Sequence, residues 1–253
     1  MSAKIHYESD ASLSLLDGKT IVFIEYGNQG RAQCLNLRDT IAQGCESFKS
    51  LPHILATSLK DRYAATAAKD GVESTTDFAG AAAKADILFL LVPDQVQPEL
   101  FNTHLAPVIK PGACIVVASG YNYFYNKLSI SPECDVVMAS PRMIGTSVRS
   151  LFEKGQGFPC FISSEQDASG KAHEICLALS LGIGALKTAS SVPTIIVAFQ
   201  EAYSTLKALG ASHEALCYEL FMSKEAAEIF EKMADDGFVK QLVHQSTVPS
   251  MGS

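Results

Sequence analysis

The sequence lacks the features that mark several large classes of protein. No apolar run approaches the ~20 residues that a membrane-spanning helix needs, and the polar start of the chain, residues 1–11, has no signal-peptide core. Acidic residues (27) outnumber lysine and arginine (20), and the net charge of −7 disfavours nucleic acid or an anionic membrane as the main partner. We therefore expect a cytoplasmic protein that binds neither of them.

Paired cysteine motifs and the residues of two catalytic classes are missing as well. The seven cysteines are dispersed without a CxxC pair, and several, such as Cys114, stand in apolar runs. Such a set is typical of reduced, mostly buried thiols in a reducing compartment. The six histidines share no motif with a serine or cysteine nucleophile, and no Walker lysine is present for phosphoryl transfer.

What the sequence does have is a regular alternation of strands and helices. Three apolar runs, residues 20–25, 87–92 and 114–118, are typical of buried parallel strands. The remaining predicted elements are strands at 53–58, 135–139 and 159–163 and helices at 29–42, 61–69, 77–84 and 167–181. This alternation predicts an α/β fold with a Rossmann-type, doubly wound parallel sheet.

The character of the sequence changes after Gly184, where two amphipathic helices are predicted at 193–209 and 213–233. We place the boundary so that residues 1–187 form the Rossmann-type domain and residues 188–253 a short all-helical region. A region this small buries little surface alone. Its apolar faces need a partner, and a homodimer is the simplest way to supply one.

A candidate phosphate loop follows the first predicted strand, in Glu25-Tyr26-Gly27-Asn28-Gln29-Gly30. Gly27 and Gly30 stand at the second and third glycine positions of the dinucleotide fingerprint, where they allow the backbone to approach a pyrophosphate and the helix to pack on the strand. The N-terminus of the helix supplies N–H donors for the phosphates. Glu25 replaces the first glycine, and we expect it to resist the tight turn and to repel a phosphate.

The end of the second strand indicates which dinucleotide is bound. An acidic residue there would hold the adenosine ribose diol, but the chain continues with Ser58, Lys60 and Arg62 instead. These three side chains can bind a 2′-phosphate, although a solvated turn has the same composition. The pattern favours NADPH.

Five segments make the chain resemble the ketol-acid reductoisomerase family, which depends on NADPH and magnesium. They lie in order within roughly residues 12–187, at positions 27–30, 35–39, 92–97, 110–113 and 166–172. The resemblance implies a Rossmann-type N-terminal domain and a helical, oligomer-forming C-terminal domain. It also implies that the phosphate loop and the Val92-Pro93-Asp94 turn flank the cofactor, with Ser119 and Gly120 following the next strand.

The chain departs from the family's pattern at the positions that carry its chemistry. Ser119 stands where the family has histidine, and Arg142 where it has the lysine of a Pro-Lys-Gly-Pro-Gly loop. Residues 189–198 contain no carboxylate where the first metal helix has two, and Phe221 and Glu225 align with the two glutamates of the second. Two magnesium ions need several oxygen ligands, so we expect no metal site and no metal-dependent alkyl migration.

A hydride acceptor would lie over the nicotinamide, between the strand ends and the helical region. Arg142 can stabilise a carboxylate or an oxyanion, and Tyr218 or Glu225 can donate a proton. The candidate catalytic residues are Ser119, Arg142, Tyr218 and Glu225, and the candidate substrate-binding residues are Asn122, Arg142, Glu201 and Ser246. The resemblance places Ser246 about where the family uses a serine against the substrate carboxylate.

These observations predict an NADPH-dependent reductase that keeps the family's hydride transfer and loses its metal-dependent half. A protonated imine carries its own positive charge and needs no Lewis acid, so a cyclic imine or imino acid is the preferred acceptor, with a keto acid second. Two alternatives stay open. One is a non-catalytic homodimer, either nucleotide-binding or purely structural, and the other is a non-redox enzyme that reuses the crevice, with Glu25 as an acid or base.

Overall fold

Seven strands form one sheet in the part of the chain that the computed structural model describes, which is residues 6–58, 62–187 and 212. The strands are β1 (Thr20–Ile24), β2 (His53–Thr57), β3 (Ser74–Thr75), β4 (Ile87–Leu90), β5 (Cys114–Val117), β6 (Asp135–Pro141) and β7 (Cys160–Gln166). Their spatial order is β3-β2-β1-β4-β5-β6-β7, and only the β6–β7 pair is antiparallel. The prediction of a doubly wound, mostly parallel sheet is confirmed.

The helices cover both faces of this sheet. They are α1 (Asn28–Gln43), α2 (Arg62–Lys69), α3 (Phe78–Ala82), α4 (Gln97–Leu100) with a π-helical turn at Phe101–Leu105, α5 (Tyr121–Phe124), α6 (Gly145–Glu153) and α7 (Ala172–Gly182). Short 3-10 turns lie at Glu8–Asp10, Leu13–Leu16 and Cys45–Ser47. Within the described residues, no helix combines the length and the apolar character needed to cross a membrane.

The central strands are apolar throughout because each of them contributes to two hydrophobic cores. In β1, Ile21 and Phe23 point into the core under α1, α6 and α7, whereas Val22 and Ile24 point into the core under α3 and the π-helical turn. Successive side chains of a strand face opposite sides of the sheet. A strand covered on both faces therefore reads as a continuous apolar run.

A buried asparagine joins the three helices on one face. The side-chain amide of Asn36, in α1, donates to the carbonyl oxygens of Val148 (3.3 Å) and Ile183 (2.9 Å) and accepts from Arg149 Nη1 (3.0 Å). Arg149 also binds Asp39, on α1, at 2.6 Å. Because Asn36 is fully buried, these bonds fix α6 and α7 against α1.

The described cysteines are free thiols, and most of them are buried. Cys34, Cys114, Cys134 and Cys176 are buried, whereas Cys45 is exposed. Burial raises the pKa of the Cys34 and Cys176 thiols to about 12. These positions agree with the expectation of mostly buried thiols.

Several boundaries differ from the sequence predictions. The helix predicted from residue 167 begins at Ala172, because the chain turns at Gly170 (φ 72) and the Asp167 carboxylate accepts from the Ala172 N–H at 3.0 Å. The elements β3, α4, α5 and α6, the π-helical turn after α4 and the antiparallel direction of β7 were not predicted. The helices predicted at 193–209 and 213–233 and the boundary after residue 187 lie outside the described residues.

Candidate functional site at the carboxyl edge of the sheet

The strand order places the topological switch between β1 and β4, where connections leave the sheet in opposite directions. Ligands of open α/β sheets bind at such a switch, outside the carboxyl ends of the strands. The predicted residues follow those ends, with 26–30 after β1, Ser58 after β2, 92–94 after β4, Ser119 and Gly120 after β5, and Arg142 after β6. The structure therefore brings them to one edge.

The phosphate loop is shaped by close backbone contact. Gly27 caps α1, and its carbonyl oxygen accepts from the Arg31 N–H at 2.9 Å. A Cβ atom on Gly30 would overlap the carbonyl oxygen of Glu25, so glycine alone fits at this crossing of helix and strand. The N–H groups of the first turn of α1 have no partner within the helix and are the donors that a diphosphate would use.

Glu25 makes the tight turn despite its side chain. Its φ of 79° lies in the left-handed region that favours glycine, and its N–H donates to Thr57 Oγ1 at 3.2 Å. Glu25 therefore forms the turn with a strained φ, and the bond to β2 helps to hold this conformation. The carboxylate lies against Gly27, where a Cβ atom would be 3.2 Å from Glu25 Cδ.

Hydrogen bonds from two side chains of the phosphate loop, Tyr26 and Gln29, hold the loop in place. The buried Tyr26 hydroxyl donates to Asp70 Oδ2 at 2.9 Å, and Arg31 binds the same carboxylate through Nε (2.6 Å) and Nη2 (2.9 Å). The Arg31 guanidinium lowers the pKa of the Asp70 carboxyl, and burial raises the pKa of Tyr26. Gln29 Nε2 donates to the Met143 carbonyl oxygen at 2.8 Å. Because these bonds engage both side chains, Tyr26 and Gln29 present their backbone groups to a cofactor.

A hydrogen-bonded network joins the turn after β4 to the start of α5. Asn122 Nδ2 donates to the Asp94 carbonyl oxygen (2.7 Å) and to Gln97 Oε1 (3.0 Å). Gln97 Nε2 in turn donates to the Val92 carbonyl oxygen (2.9 Å) and to Asp94 Oδ1 (3.2 Å). Gln97 was not predicted as a site residue. Its signal was an amide side chain three residues after Asp94, inside the segment 92–97 already singled out.

Ser119 completes the network with a defined polarity. Its hydroxyl donates to Asp94 Oδ2 at 2.9 Å and accepts from the Tyr121 N–H at 3.4 Å. A hydroxyl has one hydrogen and two lone pairs. Since the hydrogen is directed to Asp94, Ser119 has a lone pair to offer a ligand and no donor. Gly120 supports this arrangement as the N-cap of α5.

Arg142 follows β6, the strand next to β5. Its N–H donates to the Pro159 carbonyl oxygen at 2.9 Å, and Nη1 donates to Ser140 Oγ at 3.2 Å. The guanidinium lies over the Phe161 ring at 5.3 Å from its centroid. This half-buried cation can pair with a carboxylate at the same edge.

The adenosine end of the site is described in part. Ser58 is buried after β2, and within the described residues its Oγ has no hydrogen-bond partner. Arg62 begins α2, whereas Lys60, Glu201, Tyr218, Glu225 and Ser246 lie outside the described residues. In residues 6–58, 62–187 and 212, no group of three or more His, Cys, Asp or Glu side chains is arranged to hold a metal ion.

Comparison with known families identifies the family to which the chain belongs. Residues 15–189 match the family described as acetohydroxy acid isomeroreductase, NADPH-binding domain. The chain belongs to the ketol-acid reductoisomerase family. The putative ketol-acid reductoisomerase 3 of Saccharolobus solfataricus is 34% identical over 96% of this chain and 77% of its own length. A ketol-acid reductoisomerase (NADP(+)) of Pyrobaculum calidifontis is 39% identical over 73% of this chain and 53% of its own length.

Solved structures agree with the family at the level of the fold. An NADH-preferring ketol-acid reductoisomerase from an uncultured archaeon superposes with a TM-score of 0.67 at 24% identity, over 99% of this chain and 79% of that one. A semialdehyde dehydrogenase NAD-binding protein from Cupriavidus necator gives 0.52 at 16% identity, over 87% and 82%. The predicted resemblance is confirmed, and the matched ketol-acid reductoisomerase domain is of the nicotinamide-dependent oxidoreductase type.

Proposed function

We propose that the protein is an NADPH-dependent reductase that delivers a hydride to a C=N or C=O acceptor without metal-dependent isomerisation. The observation that carries the proposal is the Ser119–Asp94 pair, which lies across the topological switch from the phosphate loop. The loop is suited to a dinucleotide, and the pair is suited to a reacting group that donates a hydrogen bond.

The residues around the switch fit a dinucleotide. The N–H groups at the start of α1 suit its diphosphate, and the buried Ser58 hydroxyl would find a partner in a 2′-phosphate, together with Lys60 and Arg62. The turn at 92–94 and residues Ser119 and Gly120 would border the nicotinamide. When bound, the cofactor supplies the hydride from its nicotinamide ring.

The preference for NADPH is tested by titration of NADPH and NADH, followed by their own fluorescence. Replacing Lys60 and Arg62 by alanine, or Ser58 by alanine, is expected to weaken NADPH by about 1–3 kcal/mol for lost charge-assisted hydrogen bonds. NADH lacks the 2′-phosphate and should be unaffected. Lys69→Ala, at the exposed far end of α2, is the control. Equal losses for both cofactors would contradict the assignment.

The polarity of Ser119 favours an iminium acceptor over a carbonyl. An N–H⁺ group would donate to Ser119 Oγ, and the Asp94 carboxylate behind it would stabilise the positive charge. Hydride addition to the iminium carbon then gives a neutral amine with no further proton. A carbonyl oxygen would instead need a donor and a proton, which Tyr218 or Glu225 would have to supply. Arg142 would bind the carboxylate of an imino or keto acid. Asn122 holds the turn at Asp94, and Glu201 and Ser246 would make further contacts with the substrate.

The acceptor and the metal requirement are tested in one assay. NADPH oxidation with 1-pyrroline-2-carboxylate should exceed that with a 2-keto acid of similar size, and Arg142→Met should raise KM for both.

The sequence offers Glu225 but no second carboxylate at the family's other metal positions, so the residues do not fit two magnesium ions. EDTA should leave the rate unchanged. Loss of activity that magnesium restores would overturn metal independence.

We also propose a homodimer that forms through residues 188–253 and completes the substrate site. Support comes from the two amphipathic helices predicted there and from the oligomers that the resemblance implies. Light scattering should report about twice the chain mass of 27.1 kDa, and Phe230→Asp should split the dimer by burying an unpaired charge, at several kcal/mol. An active wild-type monomer would contradict this.

One observation favours a second candidate function. The Glu25 carboxylate lies against Gly27 and is an obstacle to a diphosphate. Such an obstacle favours a non-redox enzyme that uses the crevice for another ligand, with Glu25 as acid or base. It also favours a non-catalytic homodimer. Failure of the wild type to bind either cofactor would favour these readings.

A further inference from the structure

Glu25 has an unusual backbone conformation that its neighbours hold in place. In the described residues, the non-glycine residues with positive φ are Glu25 (79°) and Asn126 (52°), and asparagine tolerates this region far better than glutamate. The Glu25 N–H is held by Thr57 Oγ1 at 3.2 Å, and Thr57 Oγ1 donates to the Phe23 carbonyl oxygen at 3.3 Å. On the other side, the Glu25 carbonyl oxygen meets Gly30. The backbone of Glu25 is therefore held on both sides of the turn.

The side chain of Glu25 lies against Gly27 of the phosphate loop. A Cβ atom on Gly27 would lie 3.2 Å from Glu25 Cδ and 3.3 Å and 3.4 Å from its two carboxylate oxygens. In dinucleotide loops the glycine at this position keeps the approach open, so that the backbone can meet the pyrophosphate. Here a carboxylate stands in the space that the missing side chain of Gly27 leaves.

We propose that the Glu25 carboxylate competes with the diphosphate of a dinucleotide for the phosphate loop and so lowers the affinity for NADPH and NADH alike. The inference rests on the proposed function, because it takes a nicotinamide dinucleotide as the ligand. Like charges a few ångströms apart repel strongly at a partly buried site. The diphosphate can bind only once the carboxylate has moved aside.

Two consequences separate this effect from that of Ser58, Lys60 and Arg62. NADPH and NADH share the diphosphate, so Glu25 weakens both equally, whereas the other three residues distinguish them. Salt screens repulsion as well as attraction. The wild-type affinity should therefore fall less steeply with ionic strength than the affinity of a variant without the charge.

The test uses three substitutions in the full chain, with NADPH and NADH as probes. Glu25→Gln keeps the shape and removes the charge, and should bind both cofactors about tenfold more tightly, which corresponds to about 1.4 kcal/mol. Glu25→Gly should show the same gain and, in addition, a higher melting temperature of the free protein, because glycine adopts this φ without strain. Glu133→Gln, exposed at the opposite edge of the sheet, should change neither property.

The outcomes distinguish this inference from the proposed function. If the wild type, E25Q and E25G bind NADPH equally, or E25Q binds more weakly, the inference is overturned and the reductase proposal stands. If only the variants bind, the inference holds and the wild type is not an NADPH enzyme. If neither the wild type nor E25G binds NADPH or NADH, both proposals fail.

Discussion

The two sides of the topological switch are built in different ways. On the β1 side, the loop is set by backbone fit, with Gly30 against the Glu25 carbonyl oxygen and a strained φ at Glu25. On the β4–β5 side, the loops are set by side-chain hydrogen bonds among Asp94, Gln97, Ser119 and Asn122. At Gly30 an added Cβ atom would force the backbone to move, whereas on the β4–β5 side the loss of one side chain leaves its hydrogen-bond partners unsatisfied. The two sides therefore tolerate different kinds of substitution.

The largest expected effect comes from replacing one glycine by alanine on each side of the topological switch. Gly30→Ala forces a Cβ atom onto the Glu25 carbonyl oxygen and should destabilise the domain by about 3 kcal/mol or more, because backbone must shift. Gly120→Ala meets only Met138 Sδ at 4.0 Å and should change stability by less than about 0.5 kcal/mol. Urea unfolding measures both. Similar stability of the two variants would remove the contrast.

The next effect reverses the polarity of the β4–β5 side. Asp94→Asn removes the carboxylate that receives the Ser119 hydrogen, so the hydroxyl can turn and donate to a ligand. We expect imine reduction to fall about 100-fold, as for loss of one charge-stabilising group, with carbonyl reduction less affected. Cofactor affinity, measured separately by NADPH fluorescence, should stay the same. An equal loss for both acceptors would show that Asp94 only supports the fold.

Sequence patterns predicted the frame of this site better than its contacts. The apolar runs of β1, β4 and β5 are read easily because they are buried on both faces, and parallel strands place their carboxyl ends together. Gln97 and Asp70 escaped because their role depends on partners far along the chain, such as Asn122, 25 residues away from Gln97, and Tyr26, 44 residues away from Asp70. The directions of the Gln29 and Tyr26 side chains could not be predicted either, because the motif fixes only the backbone at these positions.

The smallest expected effect tests the hydrogen bonds from Tyr26 and Arg31 to Asp70, which support the loop after β1. The hydrogen bonds from Arg31 lower the pKa of Asp70 in the folded state. Stability from this carboxylate is therefore complete above its unfolded pKa of about 3.9 and is lost as the pH falls through the lower folded value. Asp70→Asn should cost about 1 kcal/mol or less at pH 7 and less than that at pH 2–3, below the unfolded pKa. Urea unfolding at both pH values, with the exposed Glu99→Gln as control, measures the difference. A cost that persists at low pH would assign the loss to packing.

The buried thiols make each layer of the domain separately observable. Cys34 lies on α1, Cys114 on β5 and Cys176 on α7, and burial holds their pKa values far above neutrality. An alkylating reagent can reach such a thiol only when the surrounding layer opens. Mass spectrometry of timed alkylation would therefore give an opening rate for the helix behind the phosphate loop, for the strand that carries Ser119 and for the outer helix, each read from one native atom.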